Sequence, residues 1–361
     1  LIGHVNHSHT VDVHDRVSAV MMRSENGEYN HIISESMSES FLLDDPDPNS
    51  FSASTIDWVS SDQGSGGLSI TDDGMVLVGL NGVLPNNPGR KGGLLEFDPL
   101  SLEYMVYDTT DNILDGQDGL LNNSYSRYIS IHGIEKDIFG NNWVINPYSE
   151  RHNHLAAIRL TNGSWVHVTA PDQQSYLPQC IAFDKQRRAW FGFRQYQEWS
   201  SGGIKIIDTR LTFNDESDDI WTYAEFSESP PGQSIWSMAF DHHGLLWILT
   251  SGGVQGYTTS QSTEGEVLTK ILPVDYFSWL PFQKGDKILV DEMNNKWIIT
   301  GHSGIRVIGE NTIPWPDGDG FTVDNSGLLS NTVYDAVFDH DNGIAWFATN
   351  KGISSLRLNY D

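Results

Sequence analysis

The chain has 361 residues, 21 of them basic and 48 acidic, for a formal net charge of −27 at pH 7. So strong an acidic excess repels nucleic acid and anionic membrane surfaces, which makes both poor partners. Its single cysteine, Cys180, rules out an internal disulfide and a cysteine-rich metal site, and no apolar run reaches the 18 residues of a membrane-spanning helix.

Taken in chain order, the elements repeat. The opening "LIGHVNHSHT" lacks the charged start and apolar middle of a signal peptide. The start at Leu1 reads as a piece of a longer precursor. "HTVDVHD", His9 to Asp15, reads as a strand, and "RVSAVMMRSENGEYNHIIS" follows with an inner strand near Val17 to Met22, a turn at Gly27 and Asn30 in the slot that later copies give to Trp. "TDDGMVLVGL" keeps Gly74 three residues before Leu77 in that slot. "DIFGNNWVIN", "DKQRRAWFGF", "DHHGLLWILT" and "DEMNNKWIIT" then place Asp137, Asp184, Asp241 and Asp291 six residues before Trp143, Trp190, Trp247 and Trp297. The last copy, "GLLSNTVYDAVFDHDNGIAWFATNKGISSL", has Asp339 seven residues before Trp346.

The anchors 30, 77, 143, 190, 247, 297 and 346 are spaced 47, 66, 47, 57, 50 and 49 residues apart. A period near 50, filled with short alternating strands and glycine turns and no helical segment, predicts an all-β, seven-bladed β-propeller of four-stranded antiparallel blades. The whole of 1–361 is read as one propeller domain. Each anchor Trp should fill the space between neighbouring blades, and Trp58, Trp165, Trp221 and Trp315 mark fourth strands. The last copy supplies three strands before the chain stops at Asp361. An open ring would leave sheet edges exposed, so His9–Asp15 is expected to pair antiparallel with Ile353–Leu358 and close it.

At these residues the chain resembles the two-component-regulator propeller repeats of bacterial extracytoplasmic proteins. "GLLSNTVYDAVFDHDNGIAWFATNKGI" matches the family's unit nearly throughout, and "DGLLNNSYSRYISIHGIEKDIFGNNWVIN" matches it in part. The resemblance implies a seven-bladed propeller like those found as the sensory part of hybrid histidine kinases and in PorZ-like surface proteins of type IX secretion. It implies no catalytic centre, because the shared residues build blades. "DHDNGIAW" is also similar to the Asp-box of sialidase propellers at Asp341, Gly343 and Trp346, without the preceding Ser.

Strands alternate in direction, so the loops from second to third strand share one face with the connections between blades, opposite the Asp-Gly turns. Three successive loops on that face are long, "LNGVLPNNPGRKGG", "NPYSERHNH" and "RQYQEWSSGG", and carry Arg90, Lys91, Tyr148, Arg151, His152, His154, Arg194, Tyr196 and Trp199. Cations interleaved with aromatics can hold a carboxylated sugar or an acidic peptide, through arginine's planar donor fork and ring stacking. The plain alternative is a set of solvated loop residues. Inner-strand residues at the channel mouth, His132, Gln179, Trp236 and Tyr334, form a second candidate group, with mutual packing as the alternative.

Other signals are weaker. His4, His7, His9 and His14 supply nitrogen donors for a metal, or an ordinary terminus. "DPDPNS", "DTTDNILDGQD" and "DGDG" gather carboxylates without the spacing of a calcium loop. No metal site and no cofactor are expected. There is no Gly-x-Ser-x-Gly elbow, and Cys180 in "PQCIAFD" falls on an inner strand, where it should be buried and inert.

The reading is a non-enzymatic extracytoplasmic binding module, periplasmic, cell-surface or secreted, whose partner is a glycan, peptide or protein on the loop face. It would neither bind nucleic acid nor insert into a membrane. The alternative is a propeller lyase acting on a polysaccharide or cyclic peptide, with His132, His152 or His302 beside Glu135 or Glu150, although no spacing singles out such a set.

Overall fold

The computed structural model describes residues 2–7, 17–23, 29–31, 67–80, 93–101, 103–107, 113–114, 117–118, 127–129, 131–147, 154–172, 177–196, 200–228, 230, 234–273 and 275–358. It divides into two compact units, Leu1–Ser175 and Tyr176–Asp361. Among the described residues the structure is all β except for one 3-10 turn at Glu216–Asp218.

In the first unit, β1 (Ile2–His7), β2 (Val17–Arg23) and β3 (Tyr29–His31) form a three-stranded sheet. β4 (Leu68–Ile70), β5 (Val76–Leu80), β6 (Gly93–Phe97) and β7 (Tyr104–Tyr107) form a four-stranded one in sequence order. The short β8 (Gln117–Asp118) and β9 (Arg127–Tyr128) pair with each other. A second four-stranded sheet follows from β10 (Gly133–Lys136), β11 (Asn142–Ile145), β12 (His154–Arg159) and β13 (Trp165–Thr169). Leu77 and Leu94 of one four-stranded sheet share a core with Ile134, Val144 and Ala157 of the other.

The expected inner strand near Val17 is present as β2, but it lies in the middle of its sheet. β1 pairs along its other side, with Ile2 opposite Met21 and Val5 opposite Ala19. The segment His9–Asp15 lies outside the described residues, as does Trp58.

In the second unit, β14 (Pro178–Phe183), β15 (Ala189–Tyr196), β16 (Ser200–Asp208) and β17 (Ile220–Phe226) run in order. So do β18 (Ile235–Phe240), β19 (Leu246–Thr250), β20 (Gly253–Gln261) and β21 (Gly265–Lys270). These are two four-stranded antiparallel meanders, yet they form one eight-stranded sheet because β17 and β21 pair in parallel, Tyr223 to Gly265 through Phe226 to Leu268. Their first strands β14 and β18 also lie side by side, so the eight strands nearly close into a barrel. The joint needs a glycine: at Gly265, φ is +153° and a Cβ would sit 2.3 Å from the Tyr223 carbonyl oxygen. β22 (Lys287–Val290), β23 (Lys296–Ile299), β24 (Ile305–Ile308) and β25 (Pro314–Trp315) make another four-stranded sheet, and β26 (Val333–Asp339), β27 (Ile344–Thr349) and β28 (Gly352–Arg357) a three-stranded one.

The architecture is therefore a propeller-like series of small antiparallel sheets in which two meanders are fused at their outer edges, rather than seven separate four-stranded sheets. Trp165, Trp221 and Trp315 sit on fourth strands as expected, in β13, β17 and β25.

The Asp-to-Trp spacing has a physical cause. In four copies the indole N–H donates to the Asp six residues earlier: Trp143 to Asp137 at 3.0 Å, Trp190 to Asp184 at 2.8 Å, Trp247 to Asp241 at 3.0 Å and Trp297 to Asp291 at 2.9 Å. The other carboxylate oxygen closes the turn, taking for example the backbone N–H groups of His243 and Leu245 at 2.9 Å each. These four Trp side chains are at most 2 % exposed, so each buried donor is satisfied locally. In the second copy, where Leu77 takes the Trp slot, Thr71 stands six residues before it, and Thr71 Oγ1 accepts the Met75 N–H at 2.9 Å. With no indole to satisfy, a hydroxyl suffices for the turn.

The fourth residue of this turn is left-handed whatever its type. φ is +88° at Gly74, +86° at Gly140, +71° at Arg187, +86° at Gly244 and +62° at Asn294. The last copy departs from the pattern although its sequence is the most regular. Asp339 stays in the strand opposite Ile344, its carboxylate accepts from Asn342, and Trp346 is half-buried. The extra residue between Asp and Trp makes a different hairpin. The buried inter-sheet positions there are Ala345 and Phe347.

Candidate functional site

In each sheet of the second unit, the start of the first strand, the hairpin between second and third strands and the connection to the next sheet lie at one end. The backbone ties them together there. Arg194, in the β15–β16 hairpin, donates to Leu177 O at 2.9 Å, just before β14, and Gln195 N–H reaches Ser234 Oγ at 3.1 Å, just before β18. Gly304, after β23, donates to Asn331 O at 2.8 Å, just before β26.

Three of the expected channel-mouth residues mark one structural position. Gln179, Trp236 and Tyr334 are each the second residue of a first strand, β14, β18 and β26, and each is the extra residue of a bulge. A bulge re-aims the side chain it carries and often stands beside a functional site. Each also lies five residues before the turn aspartate of its copy, as does His132, just before β10, in the first unit. The same count back from Asp291 gives Asp286, which sequence reasoning missed although this register would have found it.

Asp286 is only 1 % exposed. Its oxygens accept the Gly301 N–H at 2.8 Å and the Gln283 N–H at 2.9 Å. Burial raises its pKa above the usual carboxylate range, against the pull of those two bonds and of the nearby His302. His302, half-buried in the β23–β24 hairpin, has neither ring nitrogen hydrogen-bonded among the described residues. Lys284, two residues before Asp286, is pulled down to about 7, first by burial and then by the neighbouring Arg194 charge. The Arg194 guanidinium carbon lies 5.9 Å from the centre of the Trp236 ring. Trp236 Nε1 is buried with no partner among the described residues. Burial raises the Tyr334 phenol above its ordinary value.

On the same connection as Lys284, Trp279 is 66 % exposed, its ring edge-on to Phe277 at 5.7 Å. Phe277 beneath it is 1 % exposed and the chain is pinned by Leu280 N–H to Phe277 O at 2.9 Å, so the indole stands on a fixed base. Sequence reasoning passed over it because nothing local separates it from a core Trp.

Of the other expected site residues, Tyr148, Arg151, His152 and Trp199 lie outside the described residues, and Tyr196 is placed only as the last residue of β15. Gln179 is 8 % exposed and its amide donates to Pro178 O at 3.1 Å, so it serves the strand start. His132 is half-buried, with its backbone N–H on Ile145 O at 2.9 Å. His154 stacks on His167 at 4.9 Å. Cys180 is half-buried rather than fully so; its sulfur lies against Gly192, where a Cβ would come within 2.7 Å of it. In "DGDG", Asp317 uses its carboxylate on the Asp319 and Gly320 N–H groups, the work of a turn residue. Among the described residues, no group of three or more His, Cys, Asp or Glu side chains could hold a metal ion, and no helix is long and apolar enough to cross a membrane.

No protein-family model matches the chain, and no curated protein does. Solved structures do match. PorZ, a bacterial surface component of the type IX secretion system of Porphyromonas gingivalis, superposes with a TM-score of 0.54 at 17% identity, over 94% of this chain and 50% of that one. An auxiliary nutrient binding protein from Bacteroides ovatus gives 0.50 at 8% identity, covering 82% of this chain and 69% of that one. The extracellular domain of a protein described as a hybrid two-component system from Bacteroides thetaiotaomicron gives 0.44 at 14% identity, covering 81% and 40%. The propeller family suggested by the repeat is thus met again among solved structures. At these identities the likeness is one of fold, and the chain spans half the length of the PorZ structure.

Proposed function

We propose that the chain is a non-enzymatic, ligand-binding β-propeller of an extracytoplasmic bacterial protein, a single seven-bladed domain whose ligand face is the loop end described above. The observation that carries this reading is that Gln179, Trp236, Asp286 and Tyr334 of the second unit, each five residues before a turn aspartate, stand at the loop end of their sheets, with Arg194 over the Trp236 ring and His302 near Asp286. The fold likeness to PorZ and to a nutrient binding protein supports an extracytoplasmic setting.

A lyase needs a histidine joined to a carboxylate. Among the described histidines His302 comes nearest that arrangement, yet its ring nitrogens find no partner within the described residues and Asp286 accepts backbone amide N–H groups with its oxygens. Those bonds hold the carboxylate as a strut for the hairpin, which favours binding over catalysis.

A glycan and peptide array tests the reading. A bound ligand should be lost when Arg151, Arg194 and Trp199 are replaced together by Ala, with the melting temperature little changed because loop side chains contribute little to stability. Undiminished affinity in that variant overturns the proposed face.

Closure of the ring by His9–Asp15 against Ile353–Leu358 belongs to the same proposal. Truncation would also remove β1, so cross-linking is the cleaner test. The pair Val11→Cys and Ser355→Cys should form a disulfide on mild oxidation, with Cys180→Ser as background, and failure to cross-link removes the closure.

A further inference from the structure

We infer that the loop end of the second unit carries a stacking subsite for a neutral sugar, with Trp279 as the platform under the ring and the Gln283 amide and Ser278 hydroxyl taking its hydroxyl groups. This rests on the binding reading above and names its ligand class.

The first reason is how Trp279 is held. It sits in a tight turn, Phe277 to Leu280, closed by the Leu280 N–H on Phe277 O at 2.9 Å, and the Phe282 N–H on Leu280 O at 3.0 Å extends the lock. Phe277 takes φ = +53°, a left-handed conformation that a bulky residue adopts where its surroundings impose it. The anchor lies one residue earlier: Tyr276 exchanges backbone hydrogen bonds with Val254 at 2.8 and 2.9 Å, and its hydroxyl donates to Thr312 O at 2.6 Å. A strained and pinned backbone thus holds an indole in solvent, where its apolar area gains nothing from folding.

The second reason is charge. The turn lies on the connection 271–285, whose exposed side chains, Pro273, Ser278, Trp279, Pro281 and Gln283, are all uncharged. Its two charged residues are withdrawn. Asp275 lies 3.3 Å from Lys270 and accepts from Gln255 Nε2 at 2.9 Å, and Lys284 is half-buried. On a chain of net charge −27 this surface offers an ionic ligand no partner. Among the connection's described residues Trp279 is the one exposed large hydrophobic side chain, too small an apolar area for a protein interface.

The third reason is the polar edge. Gln283 follows Trp279 by four residues, and its side-chain Nε2 lies 3.9 Å from where a Cβ on Gly301 would sit, which puts the amide against the β23–β24 hairpin. Its backbone N–H is held by Asp286, while neither its side-chain amide nor the Ser278 hydroxyl has a hydrogen-bond partner among the described residues. Each of these groups both donates and accepts, as a sugar hydroxyl does. A sugar ring offers an apolar face of C–H groups edged by hydroxyls, which matches an indole bordered by an amide and a hydroxyl. A proline-rich peptide also docks on exposed aromatics, but prolines bring acceptors alone and leave the acceptor atoms of Gln283 and Ser278 unmet.

Calorimetric titration with cellohexaose, maltohexaose, mannohexaose and xylohexaose, beside trigalacturonate and a hexaproline peptide, tests this. At least one neutral hexasaccharide should bind. Trp279→Ala and Gln283→Leu should each weaken it about tenfold, and Trp279→Phe, which keeps a flat ring, should weaken it less. Melting temperatures should stay unchanged, since both side chains are exposed. No binding by any of the four neutral sugars, equal affinity in Trp279→Ala, or tighter binding of trigalacturonate or hexaproline overturns the subsite. A ligand from the array that the Arg151, Arg194 and Trp199 variant loses but Trp279→Ala keeps would leave the binding reading standing while this one falls. No ligand of any kind would remove both.

Discussion

Replacing Asp241 with Ala should cost about 3–4 kcal/mol of stability, read as a shift of the denaturant midpoint at constant slope. The loss is large because one side chain serves three donors. Its Oδ2 accepts the indole of Trp247 at 3.0 Å, and its Oδ1 accepts the His243 and Leu245 N–H groups at 2.9 Å each. Trp247 is fully buried, so the orphaned indole N–H cannot turn to water. Asp241→Asn should be milder, near 2 kcal/mol, since the amide oxygen keeps the turn while its NH₂ faces the indole donor. A double-mutant cycle with Trp247→Phe isolates the indole bond, with a coupling of about 1–2 kcal/mol expected. Additive single effects would mean that the aspartate acts on the turn alone.

The second large effect is expected in the first unit. Arg159 and Glu96 are both buried and lie 2.5 Å apart, with Asp73 3.2 Å from the guanidinium and the Tyr107 hydroxyl donating to Glu96 at 2.7 Å. Burial and the carboxylate together push the Tyr107 phenol up to about 12. Glu96→Leu strands the guanidinium with only the half-exposed Asp73, and it should cost about 3–5 kcal/mol by thermal or denaturant unfolding. Glu96→Leu combined with Arg159→Met should recover most of the loss, because an apolar pair pays no desolvation cost. A double variant as unstable as the single one would show that the pair does more than neutralise itself.

The two predictions differ in how far the sequence foretells them. Asp241 and Trp247 are six residues apart in a repeated frame, so their partnership is written in the spacing, and so is that of every other Asp–Trp pair of this type. Glu96 and Arg159 come from different sheets, β6 and β12, and are 63 residues apart in the chain. No local pattern announces that pair.

The candidate site divides the same way. Gln179, Trp236 and Tyr334 were legible because each begins an alternating strand, and the register that joins them also points to Asp286. Lys284, His302 and Trp279 were not. They sit on connections of irregular length, and a connection takes its course from the sheets it joins rather than from its own periodicity. The shift of Lys284 toward neutrality comes first from burial on that connection and then from Arg194, which is 90 residues earlier in the chain.

By itself the sequence determined the all-β class, the repeating unit, the turn aspartates and the burial of four anchor tryptophans. These follow from alternation and from short-range hydrogen bonds, which a chain carries wherever it folds. Only the tertiary structure decided that two meanders fuse through β17 and β21, that β1 lies against β2, and that the most regular copy leaves its Trp half-buried. Each of these turns on an edge or a face finding a neighbour. A strand's pattern states which face is apolar, but what covers that face is settled by the packing of distant segments against it.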